Sequence, residues 1–136
     1  MSFLKNGKQN RRDRMALSYY YGHEADKYSF IRIPKVMVTE SIFSSLSLQA
    51  KILYGLLLDR IGVARKNDWV DEEERIYVIY PIAEIQEDMS ISKKKAIESL
   101  AELEAIGLVE KKQRGLGQPN ILYVKDFITS DAVVWE

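Results

Sequence analysis

Between Pro81 and Lys125 the hydrophobic period changes from helical to strand spacing, in an order that constrains the fold more than any other feature of the chain. Ile82, Ile85 and Met89 recur at helical spacing and form the apolar side of a short helix. Pro81 suits the first turn of that helix, where its missing N–H costs nothing. Ser90 to Ser92 reads as a tight turn, and Ser92 carries an N-capping side chain for a second helix. Ala96, Ile97, Leu100 and Leu103 are expected to line the inner face of that longer helix, and Gly107 stands where a left-handed residue stops it. Leu108–Lys112 and Ile121–Lys125 then read as two strands around a loop with Gly115, Gly117 and Pro119.

Upstream, Leu46, Ala50, Leu53, Leu57 and Ile61 recur at helical spacing, with Leu56 and Leu58 widening the apolar face of what reads as a central helix. Ser45 or Ser47 is its expected cap. Residues 62–75 read as a polar connection, with Trp69 and Val70 as a possible strand and Asp71–Glu74 as an acidic hairpin turn. Ile76–Tyr80 is β-branched and aromatic, hence a strand. Tyr28–Ile33 reads as a further short strand that Pro34 ends or places at a sheet edge. The order helix, strand, helix, tight turn, helix, β-hairpin is that of an α+β winged helix-turn-helix with an N-terminal extension. We place a flexible N-terminal arm at 1–27, the winged-helix domain at 28–127, and a C-terminal tail or linker at 128–136. The arm holds an unusual aromatic run, Tyr19 to Tyr21.

With no cysteine, disulfides, thiolate metal sites and thiol catalysis are excluded. No apolar run approaches the roughly 20 residues of a membrane span, and the first residues lack the apolar core of a signal peptide. A cytoplasmic protein with no membrane partner is the expectation. Twenty basic and twenty acidic side chains cancel, which argues against a uniformly basic surface, yet the charge is segregated. Residues 1–14 carry +4, residues 68–88 carry −7 and residues 90–125 carry +3. One-sided charge of this kind is what an electrostatic footprint requires.

On the second helix of the pair, Lys94, Lys95 and Glu98 lie opposite the apolar face, with Ser99 at its margin and Glu102 further along. Three consecutive lysines, Lys93 to Lys95, sit at a helix N-terminus, where the macrodipole disfavours cations by a few tenths of a kcal/mol or so. An anionic partner removes that conflict. The segment Lys111–Asn120 adds Lys111, Lys112 and Arg114, the amides of Gln118 and Asn120, and glycines that let a phosphate backbone approach closely. Both basic segments fall on the two elements that a winged helix presents to DNA. The candidate DNA-binding residues are therefore Ser92, Lys93, Lys94, Lys95, Glu98, Ser99, Lys111, Lys112, Arg114, Gln118 and Asn120. Enzyme signals are poor. His23 stands alone, the Asp71–Glu74 run lacks the spacing and glycine of a calcium loop, and the wing glycines precede no helix that would make a phosphate loop. No catalytic residue, metal site or cofactor is expected.

The run RGLGQPNILYVKDF at Arg114–Phe127 resembles the N-terminal domain of RepA-type plasmid replication initiators from low-GC Gram-positive bacteria. LSLQAKILYGLLLDR at Leu46–Arg60, IYVIYPIAEI at Ile76–Ile85 and ELEAIGLVEKKQRGLG at Glu102–Gly117 extend the likeness over residues 28–127. Gln118 stands where many relatives have lysine, which weakens one expected phosphate contact. The Asp71–Glu74 turn lacks the glycine often seen there. The resemblance implies binding to repeated double-stranded DNA sites in a plasmid origin, usually as a homodimer. It further implies recruitment of the host replication machinery through a C-terminal domain absent from this chain. The residues themselves reach only DNA binding. A winged-helix transcriptional repressor, or a winged helix used for protein–protein contact, would share the same elements.

Overall fold

The computed structural model describes residues 15–127, and these fall into two compact units that divide between Phe30 and Ile31. The polar first unit holds one short 3-10 helix, Glu24–Lys27, with the Tyr21 amide donating to the Glu24 carboxylate. Tyr28 and Phe30 meet edge to face at 6.4 Å, and Tyr19, Tyr20 and Tyr21 are exposed. The expected tail at 128–136, and the first fourteen residues of the expected arm, lie outside the described residues.

The second unit contains α1 (Lys35–Thr39), α2 (Leu48–Lys66), α3 (Ile82–Met89), α4 (Lys93–Ile106), β1 (Val109–Lys112) and β2 (Ile121–Val124). Helix α2 begins at Ser47, whose hydroxyl accepts from the Ala50 amide. It runs past the expected end at Ile61 because Gly62 faces open space while Ala64, further on, is fully buried. Leu53, Leu57, Ile85, Leu100, Leu103 and Leu122 form the centre of the core, with α4 packed on both α2 and α3. Burial of each such side chain contributes about 1.5–3 kcal/mol.

Two expected strands need correction, and one short helix was not anticipated. Tyr28–Ile33 makes no strand: its alternating apolar residues find no ladder partner. Residues 31–33 instead pass so close to α2 that a Cβ on Gly55 would stand 2.8 Å from Ile33 Cγ1. Helix α1, only five residues long and opened by Pro34, had no periodic signature to betray it. The strand expected at Ile76–Tyr80 is reduced to isolated bridges, Val70 with Ile76 and Val78 with Leu122. The wing is thus a two-stranded antiparallel ladder in which Val109 pairs with Val124 and Lys112 with Ile121.

Polar contacts fix how the helices sit. Glu102 of α4 accepts from the Ser47 amide and the Ser47 hydroxyl, both at 2.7 Å, so one carboxylate of α4 closes the N-terminus of α2. Arg60 of α2 pairs with Glu84 at 3.2 Å and Asp88 at 3.4 Å on α3, and lies 4.2 Å over the Tyr80 ring. The Tyr54 hydroxyl donates to the Lys125 carbonyl at 2.7 Å while Phe127 packs between Phe43 and Tyr54. Burial, with Asp126 nearby, pushes the Tyr54 phenol up to about 12.

Candidate nucleic-acid interface

The turn between α3 and α4 sets the direction of the candidate reading helix. Ser90 takes the left-handed conformation at φ 54°, and the Ile91 amide returns to the Gln86 carbonyl. Ser92 then caps α4, its hydroxyl accepting from the Lys95 amide at 3.1 Å. That cap satisfies one orphan donor and leaves the other amides of the first turn, with the positive end of the dipole, facing solvent beside three lysines. Gly107 ends the helix at φ 90°, where a Cβ would be strained. The chain then turns into β1, which carries the wing.

Ser92, Lys93, Lys94, Lys95 and Glu98 are all exposed, as their positions on the helix require. Lys95 lies 3.8 Å from Glu98 one turn on. Ser99 is a correction. It is 2 % exposed, and its hydroxyl donates to the Lys95 carbonyl at 2.7 Å, four residues back. Bonded inside its own helix, Ser99 leaves the candidate surface. Ile97 moves the other way: expected in the core, it is 47 % exposed. The buried face is Ala96, Ser99, Leu100 and Leu103, an arc of about 100° that excludes Ile97.

On the wing, Lys111, Lys112, Gln118 and Asn120 are exposed. Lys111 approaches Glu104 of α4 at 4.0 Å, which draws the wing toward the helix. Arg114 is half-buried, and its Nε–H donates to the Pro119 carbonyl at 3.1 Å across the loop. It therefore braces the wing as well as supplying charge. The Gln118 amide returns to the Gly115 carbonyl, and Leu116 at the tip is fully exposed. Between α4 and the wing lies a groove of 420 Å³ whose lining includes Ile97, Ala101, Pro119 and Asn120.

The acidic hairpin sits against the wing: Asp71, Glu72 and Glu73 line one hollow with Lys112 and Arg114. Asp71 accepts from the Glu73 and Arg75 amides, from Arg75 Nε at 2.8 Å, and from the Tyr123 hydroxyl of β2 at 2.9 Å. Partial burial pushes this carboxyl up, but the hydrogen bonds outweigh it and hold it at about 2. With no glycine in the turn, Glu74 takes φ 64°. The hairpin expected from sequence is present, and Asp71 is the residue that ties it to the wing.

A family described as the N-terminus of replication initiator protein A matches residues 29–136. Among solved structures, an N-terminal domain of a DNA-binding protein is 36% identical with a TM-score of 0.70, covering 86% of this chain and 89% of that one. The structure of a Rep–DNA complex is 37% identical with a TM-score of 0.68, covering 85% and 89%. A 41 kDa protein of Lactobacillus helveticus is 25% identical over 91 residues, which are 67% of this chain and 26% of that protein. The chain thus spans about a quarter of that curated relative. Among the described residues, no helix is long and apolar enough to cross a membrane.

Proposed function

The chain belongs to the family of replication initiator protein A N-terminal domains, and from that membership we propose that it binds repeated double-stranded sites in a plasmid origin with sequence specificity. Helix α4 enters the major groove and the wing lies along the phosphate backbone. The observation that carries this reading is the capped, exposed first turn of α4 with Lys93, Lys94 and Lys95 turned away from the core. Charge at that position steers DNA in and positions side chains against base edges. The likeness to a solved Rep–DNA complex supports the same partner. The protein acts by binding, with no catalytic step, metal or cofactor, in the cytoplasm.

A homodimer is part of the proposal, because one reading helix spans too few base pairs for specific affinity. Exposed Tyr28 and Phe30 offer it apolar surface. In a longer initiator, a C-terminal domain would engage the host replication machinery. Titration of a labelled duplex carrying the origin repeats, against one with the repeats scrambled, tests the reading. The repeat duplex should bind at least about 10³-fold more tightly at physiological salt. Equal affinity contradicts it, and a promoter operator that outcompetes the repeats makes the protein a repressor.

A further inference from the structure

Ile97 is an apolar side chain standing nearly half exposed among charges, on the fifth residue of the helix that faces DNA in the reading above. Its neighbours on the exposed arc are Lys94 three residues back and Ala101 four residues on, both exposed. It adds little to the core, whose α4 face is complete with Ala96, Ser99, Leu100 and Leu103. The helix places it where the N-terminal residues of a reading helix meet base edges. The only apolar group that a base pair shows in the major groove is the thymine C5-methyl. The 420 Å³ groove toward Pro119 and Asn120 leaves one flank of the side chain unpacked, so burial against a methyl is available without rearrangement of the core.

We infer that Ile97 is a specificity-determining residue, reading the C5-methyl of a thymine beside the base pairs contacted by Lys94 and Glu98. The inference rests on the assignment of α4 as the reading helix, and adds an A·T preference that lysine and glutamate side chains cannot supply. Lys94 favours guanine acceptors and Glu98 accepts from cytosine, so the two charged residues together describe a G·C-leaning code. Ile97 is the complement to it.

The test selects duplexes from a random-sequence pool with the parent chain. The enriched site is then remade with each thymine in turn replaced by deoxyuridine, which deletes only the methyl. One buried methyl is worth about a four-fold change in affinity. The parent should lose about that factor at one position, and Ile97→Ala should bind the thymine and deoxyuridine duplexes there equally. Ile97→Gln, polar but a good helix former, should also lose the methyl dependence, and thermal melting of both variants checks that they fold. A parent indifferent to every deoxyuridine, or an Ile97→Ala variant with the same loss as the parent, overturns the role of Ile97. A parent that enriches no sequence overturns the reading of the helix itself.

Discussion

Asp71 gathers two backbone amides, a guanidinium and a phenol around one carboxylate, and so locks the acidic hairpin to β2. Its folded pKa of about 2 lies below the ordinary 3.8. Its contribution to stability is therefore complete above about pH 4 and is lost as the pH falls through about 2. In urea unfolding, the parent should exceed Asp71→Asn at pH 7, and the gap should close toward pH 2. Gly55 is held by close packing. Alanine there gains about 1 kcal/mol of helix propensity, but its Cβ would meet Ile33 Cγ1 at 2.8 Å and the Arg32 carbonyl at 3.3 Å. Overpacking of that kind costs about 1–3 kcal/mol, so Gly55→Ala should be about 1 kcal/mol less stable. A more stable variant would mean that residues 31–33 do not lie on α2. Ser92 and Gly107 were legible in the sequence, and the cap of α2 was narrowed to Ser45 or Ser47, of which the structure takes Ser47, because caps and stops are decided by the residue's own backbone chemistry. Glu102 was not, since its partner Ser47 is fifty-five residues away.

Among the elements, α4 shows where periodicity stops being informative. A helix wheel accepts either Ile97 or Ser99 as the edge of the buried face, and hydrophobicity favours isoleucine. The structure takes serine, because its hydroxyl is satisfied four residues back at Lys95 and needs no solvent. The strand expected at Tyr28–Ile33 failed for the complementary reason: alternation marks a strand only if an edge is available to pair with it. The wing was legible, with β1 and β2 within a residue of their expected bounds, because glycine and proline punctuate the loop between Leu108–Val109 and the apolar run Ile121–Val124. Its chemistry leads to a separate prediction. Exposed Lys112 supplies charge without base geometry, so Lys112→Ala should lower the slope of log affinity against log salt by about 0.9 while discrimination between sites stays unchanged. Arg114→Ala should show the same slope change and also a looser wing, read as faster amide exchange at Pro119's neighbours, because it removes the brace across the loop. Loss of site discrimination in Lys112→Ala would make the wing a base reader.

For the whole molecule, much of the acidic charge is internally engaged: Glu84 and Asp88 with Arg60, Asp71 and Glu73 with Arg75. A neutral chain thereby presents a basic helix start and a basic wing, the segregation that the sequence already displayed as −7 against +3. Sedimentation of the parent should give a dimer, and exposed Phe30 replaced by Asp should shift it toward monomer without loss of fold. A parent that sediments as a monomer excludes the dimer, and a Phe30→Asp dimer places the interface elsewhere. The reading helix itself is tested most directly by Lys94→Ala and Lys95→Ala, titrated with repeat and scrambled duplexes from about 50 to 200 mM salt. Each variant should lose about 1–3 kcal/mol of preference for the repeat duplex, with a shallower salt dependence. Parent-like preference and slope in both variants would contradict the assignment of α4 as the element that reads DNA.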